Sequence, residues 1–190
     1  EPMLLGSCYR LLYLDGQLLD AVRRDPPTVC CDGTSSISAL VAAENEKRLS
    51  QRPITALSPL MIDQDALRHL GTQGLKPNST VPAGERIVVK RAVNENADRE
   101  NHMVTPEVHP EIVAAGATLV TDLGVRFAGL DLIADDISAP LSESGAQFHE
   151  VNVGPGIHHH YLVADRAGGT PVATRILQYL FENRQGVMKL

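Results

Sequence analysis

Residues 9–24, YRLLYLDGQLLDAVRR, hold two apolar runs joined at Asp15-Gly16. An Asp-Gly pair accepts the left-handed backbone that a two-residue hairpin turn demands, so the chain is committed to an antiparallel strand pair near its start. A third strand is expected at TVCC, and Gly33-Thr34-Ser35-Ser36 then offers capping residues for a helix in ISALVAAENEKRL. Residues 50–85 are rich in Pro, Gly, Ser and Gln, with one short helix expected at QDALRHLGTQG and stopped by Gly74. RIVVKRAV reads as a strand ending in positive charge. Pro110 marks a helix start, and EIVAAGATLVTDLG repeats apolar residues at helical spacing until Gly124 closes it. RFAGLDLIAD and AQFHEVNV are two more strands joined by a loop, and TPVATRILQYLFENR is an amphipathic helix. Strands that arrive in antiparallel pairs between helices, without regular strand–helix alternation, predict an α+β fold rather than a doubly wound sheet.

With 190 residues the chain can bury a real core in one domain of ordinary size, with room for two lobes. Its 43% hydrophobic and 21% charged residues are those of a globular protein. A net charge of −6 argues against a nucleic-acid-binding surface. No apolar run approaches the roughly 20 residues a bilayer requires, and no secretory leader pattern is visible, so no membrane partner and a cytoplasmic location are expected. Cys8, Cys30 and Cys31 include an adjacent pair whose mutual disulfide would be strained, and they read as reduced, buried strand residues. The chain starts at Glu1 without an initiator Met and is expected to be a piece of something longer.

The chemistry concentrates in the last strand pair. Residues two apart in a strand point the same way, so Glu150 and Asn152 share one face and His149 and Val151 the other. On the partner strand Phe127, Gly129, Asp131 and Ile133 share a face, and hairpin pairing can stand Asp131 across from Glu150. Two carboxylates and an amide oxygen brought together repel unless a cation joins them. Hard oxygen donors with room left for water or phosphate suit Mg2+. The alternative is that these residues are polar edges of a half-exposed sheet, although the Gly154-Pro155-Gly156 turn ends the strand sharply and lets backbone approach a ligand. His158-His159-His160 invites a zinc reading, but three consecutive side chains cannot all point to one site.

GLDLI followed by HEVNVGPG resembles the closing metal-binding signature of ATP-grasp carboxylate–amine ligases, in the branch of cyanophycin synthetase and the glutathione-making ligases. The likeness extends along the chain in order. A Glu precedes a Gly-x-x-x-Arg strand (Gly6 to Arg10), followed by an Arg and Pro pair, Val-x-x-Asp-Gly (Val29 to Gly33), and a Ser-x-x-x-Leu helix start with Asn45 near the helix end. Gln73-Gly74, Pro82-x-Gly84, Arg91-x-x-Asn94 and Thr105-x-x-x-His109-Pro110 are similar to later segments of that branch. The resemblance implies the C-terminal lobe of an ATP-grasp domain over residues 1–190, largely antiparallel with flanking helices and a small helical insertion at about 34–80. The N-terminal nucleotide-binding lobe would lie before Glu1 and be a partner of this piece.

By the same resemblance Asp131, Glu150 and Asn152 match magnesium ligands, Glu1 a residue beside the nucleotide ribose, and Arg10 and Arg24 arginines of the phosphate region. Arg91 and Asn94 match the Arg-x-x-Asn at the transferred phosphate, and His160 a substrate-side or structural histidine. The implied cofactors are ATP and Mg2+, with Mn2+ able to substitute. The implied reaction joins an amino acid or peptide carboxylate to an amine through an acyl phosphate, with small-molecule substrates and homo-oligomerisation left open. Without the family match, Arg10, Arg24 and Arg91 read as surface charges and Asn94 as a turn residue. Two departures bear on substrate: the branch's Ser-Thr-Gly-Gly loop is replaced by ENADRENHM, and the segment after His160 becomes DRAGGTP. These keep a non-catalytic, ATP-grasp-derived binding module in view as the alternative.

Overall fold

A computed structural model describes residue 4 and residues 6–183. Strands β1 (Ser7–Leu14) and β2 (Gln17–Arg24) form the expected hairpin. Asp15 and Gly16 both take positive φ, 51° and 75°, as the tight turn requires. β3 (Thr28–Cys30) pairs with β4 (Arg86–Val88) in a separate two-stranded antiparallel sheet. Helices α1 (Ile37–Ser50) and α2 (Gln64–Thr72) fall between them. Then come β5 (Asn101–Met103), α3 (Pro110–Asp122), β6 (Phe127–Ala134), β7 (Gln147–Val153) and α4 (Val172–Glu182). The larger sheet has the order β5-β2-β1-β6-β7, so the fold is α+β, with β1–β6 and β6–β7 antiparallel. Among the described residues no helix is long and apolar enough to cross a membrane.

The chain divides into two compact units. The first holds residues up to Arg23, Met103–Tyr161 and the chain from Asp165; the second holds Arg24–His102 and Leu162–Ala164. In the first, alternate residues of the sheet, Tyr9, Leu11, Tyr13, Ala128, Leu130 and Leu132, form a core with Ile112 and Val120 of α3. Ile112, Gly116 and Val120 recur every four residues on one stripe of that helix, and all three are buried. Gly116 is needed there, because the Tyr13 hydroxyl donates to the Val113 carbonyl at 3.1 Å and occupies the space that a Cβ on Gly116 would fill. The opposite sheet face changes character along its length. Leu12, Leu14, Leu19 and Phe127 pack with Val172, Ile176 and Tyr179 of α4, whereas Arg10, Gly129 and Asp131 leave a polar stretch further along β1 and β6.

The second unit packs Val29, Cys31, Ile37, Val41, Leu60, Leu70, Val81 and Ile87 together. Ser36 caps α1 by accepting from the Ala39 amide at 3.2 Å, and Asp63 caps α2 by accepting from the Ala66 amide at 3.0 Å. Two expectations are corrected here. RIVVKRAV is strand only to Val88: Lys90 turns inward and is 2% exposed, and the Asp65 carboxylate then accepts from the Arg91 and Ala92 amides, which bends the chain out of the ladder. The cysteines are free, as expected, but only Cys31 is buried; Cys8 is intermediate and Cys30 exposed, because strand alternation turns Cys30 away from the core that Val29 joins. The segment ENADRENHM is held by hydrogen bonds within itself and to Thr28. Glu100, buried, accepts from the Ala97 amide at 2.7 Å and from the Thr28 hydroxyl at 2.8 Å, and Asn96 donates to Asn101 at 2.7 Å.

Candidate active site

In the first unit a charged row crosses the sheet. Arg10 on β1 lies opposite Asp131 on β6, and Asp131 lies opposite Glu150 on β7. The facing of Asp131 and Glu150 is the one the strand pattern anticipates. Asn152 stands two register pairs further, on the same face, opposite Gly129, with its side-chain nitrogen 3.5 Å from Asp131 Oδ2. The Arg10 guanidinium grips Asp131 with both ends, Nε on Oδ1 and Nη2 on Oδ2 at 2.8 Å. Both residues are buried, so the pair must offset the cost of removing two charges from water by bidentate geometry. Gly129 forms the floor beneath it: a Cβ there would lie 2.8 Å from Pro155 Cβ and 3.1 Å from Arg10 Cδ. The strand pair thus needs glycine two residues before Asp131 so that an arginine and the turn after Asn152 can both close on the sheet.

The ladder slips by one residue between Asp131 and Leu132, where Leu132 faces Phe148. This bulge corrects the expected face sharing of His149 and Val151. The extra residue lets Phe148 and Val151 both pack on the hydrophobic core, while His149 is exposed at the bulge. Without it, keeping Glu150 on the polar face would put the His149 imidazole on the core face.

The three histidines do not share one site. The rings of His158 and His159 lie 3.9 Å apart at the centroids, whereas His160 is fully buried and places Nδ1 2.6 Å from Asp20 Oδ2. Asp20, also fully buried, accepts from Thr105 at 2.6 Å and Thr170 at 2.7 Å. An ionised carboxylate only accepts, so the His160 proton facing it sits on Nδ1; Nε2 is buried without a hydrogen-bond partner among the described residues. Burial works to raise the Asp20 pKa, but the bonds from His160, Thr105 and Thr170 outweigh it and hold the carboxyl below its ordinary range. Asp20 thereby ties the end of the turn after Asn152 to β2. Sequence reading missed it, although an aspartate inside the apolar run LLDAV is a signal of a buried acceptor.

In the second unit Arg24 is buried and its Nη2 donates to the Val93 carbonyl at 3.2 Å, which brings it to the segment that carries Arg91 and Asn94, both exposed. That segment is clamped from below. Lys90 Nζ pairs with Asp63 at 2.6 Å and Glu95 at 3.1 Å, and buried Arg48 donates to the Glu95 carbonyl at 2.7 Å. Burial acts to lower the Lys90 pKa, and its bonds to Asp63 and Glu95 more than reverse that, so it rises. Lys90, Asp63, Glu95 and Arg48 escaped the sequence reading because a basic strand end looks solvated until its partners are known. Glu1 lies outside the described residues.

Among the described residues no group of three or more His, Cys, Asp or Glu side chains is placed to hold a metal. The first-unit patch has two such carboxylates, Asp131 and Glu150, and its third donor is an amide. Asp131 and Glu150 with the Asn152 amide are hard oxygen donors, the chemistry Mg2+ takes when phosphates and water complete its shell. The amide can turn its oxygen toward the same patch, since its orientation is set by hydrogen bonding. The residues therefore fit the ion that the resemblance implies.

No family model matches the chain. Cyanophycin synthetase of a Synechocystis species is 28% identical over 179 residues, covering 93% of this chain and 20% of its own length. The glutathione biosynthesis bifunctional protein GshAB of Clostridium perfringens is 25% identical over 185 residues, covering 95% of this chain and 23% of its own length. The chain thus spans about a fifth of the curated relatives it matches. Among solved structures, a bifunctional glutathione synthetase from Pasteurella multocida superposes with a TM-score of 0.67 at 21% identity over 95% of this chain and 24% of that one, a likeness of fold. In sequence the chain is thus similar to cyanophycin synthetase and GshAB, and in fold to the bifunctional glutathione synthetase, which is consistent with a fragment of an ATP-grasp ligase.

Proposed function

We propose that the chain is the carboxy-terminal part of an ATP-grasp unit that joins an amino acid or peptide carboxylate to an amine at the expense of ATP. The observation that carries this reading is the row Arg10, Asp131 and Glu150, with Asn152 beside it, on one face of the sheet. In the proposed reaction the substrate carboxylate attacks the γ-phosphorus and ADP leaves. The amine then adds to the acyl phosphate carbonyl, and phosphate departs as the amide forms. Phosphoryl transfer asks the protein chiefly for positioning and charge neutralisation. Asp131, Glu150 and Asn152 would hold Mg2+, which when bound neutralises phosphate charge. Arg10 contributes a guanidinium matched to a phosphate edge. Asp20 and His160 hold the turn that follows Asn152, so the strand end keeps its direction. Arg24, Arg91 and Asn94 are assigned to phosphate contact on the resemblance, with Lys90 and Arg48 as positioning residues for their segment.

The test is ADP release, by the polypeptide that carries this chain, from ATP and Mg2+ with pooled amino acids and short peptides. Release that requires the pool and is lost in Glu150→Gln supports the ligase. Wild-type turnover in Glu150→Gln sinks the assignment of that residue. Nucleotide binding with no release from any pool points to the non-catalytic module.

A further inference from the structure

Arg10 and Asp131 are 8% and 9% exposed, and the guanidinium engages both carboxylate oxygens. A fork-on-fork pair occupies the lone pair of each oxygen that a chelated cation would use. A free divalent ion approaching Asp131 therefore meets a carboxylate already neutralised and a positive charge fixed beside it. Glu150 is exposed, and Asn152 carries no charge, so neither compensates fully. A nucleotide changes the balance, because its phosphates offer the guanidinium a second planar acceptor of opposite charge. The Arg10 stem lies over Gly129, with Pro155 beside it.

We infer that the Arg10–Asp131 pair selects the metal–nucleotide complex over the free metal, the two side chains exchanging partners when that complex arrives. Asp131 turns from guanidinium to cation, and Arg10 turns from carboxylate to phosphate. Each residue thus holds the place of the other's ligand, and a buried charge is never left alone. The inference rests on the metal-binding reading of Asp131, Glu150 and Asn152 given above, and it adds that Arg10 makes the site silent to metal alone.

The test is Mn2+ titration of the polypeptide that carries this chain, read by the loss of the free-ion electron paramagnetic resonance signal, with and without saturating ADP. Wild type is expected to bind Mn2+ alone at least tenfold more weakly than Arg10→Met, and ADP is expected to tighten Mn2+ binding more in wild type than in the variant. Arg10→Gln, which keeps a donor for one Asp131 oxygen, is measured alongside so that failure of Arg10→Met to fold does not end the test; it should also bind free Mn2+ more tightly than wild type. Equal affinity for free Mn2+ in wild type and in the folded variants overturns the exchange while leaving the metal site standing, provided wild type binds Mn2+ with ADP. No binding by wild type even with ADP overturns the site reading, and the exchange with it.

Discussion

Gly129→Ala isolates the close packing on which the charged row depends. An unobstructed Gly→Ala change inside a strand gains about 0.5–1 kcal/mol, because alanine loses less backbone freedom on folding. At Gly129 the new methyl would meet Pro155 Cβ at 2.8 Å and Arg10 Cδ at 3.1 Å. Arg10 can bend away, but only by loosening its grip on Asp131, and Pro155 is a ring tied to the backbone and buried. Overpacking of this kind costs about 1–3 kcal/mol, so a net loss of about 1–2 kcal/mol remains. For a chain of this size that is a fall in Tm of about 2–8 °C. Calorimetric melts of wild type, Gly129→Ala and Gly71→Ala decide it. A methyl added at Gly71, in α2, would meet nothing within 4 Å, and alanine there should stabilise by up to about 1 kcal/mol. A Gly129→Ala protein that melts at or above wild type would refute the packing argument.

Gly116→Ala should destabilise by about 1–3 kcal/mol despite its helical setting, because the added methyl would overlap the buried Tyr13 ring and hydroxyl; chemical denaturation showing a gain contradicts this. Lys90→Ala leaves Asp63 and Glu95 without their shared cation and should cost about 1–3 kcal/mol, because only Glu95 is left unpaired and mostly buried, with faster hydrogen exchange at the Arg91 and Ala92 amides than in wild type; unchanged exchange rules out the clamp. Asp20, Glu44 and Asp63 all titrate below their ordinary values in the folded chain. Their contribution is therefore complete above the unfolded carboxylate range near pH 4 and lost as pH falls through the lower folded values. Stability measured between pH 6 and pH 2 should fall with acid, and Asp20→Asn should flatten that fall; an identical pH dependence in the variant argues against it.

The parts legible in the sequence are those governed by local rules. Asp15-Gly16 announces the hairpin because both residues must take positive φ. The facing of Asp131 and Glu150 follows from strand alternation in two segments that have no other way to bury Leu130, Leu132 and Val151. What escaped depends on partners distant in the chain. The bulge at His149 cannot be read from period-two alternation, which assumes an unbroken ladder, and it is the competition between Phe148 and His149 for the core that decides it. Asp20 is satisfied by residues from three later segments, Thr105, His160 and Thr170. Lys90 likewise looks solvated until Asp63 and Glu95 are placed against it. The ENADRENHM segment reads as a charged loop, yet Glu100 and Asn101 are buried in hydrogen bonds.

The most direct test of the account is where a divalent ion binds. With ADP saturating, Mn2+ bound to the chain should broaden amide resonances of β6 and β7 around Asp131, Glu150 and Asn152, and the effect should disappear in Glu150→Gln and Asp131→Asn proteins that remain folded. Undiminished broadening in both variants, or broadening centred elsewhere in the chain, would contradict the assignment of this sheet face as the metal–nucleotide site.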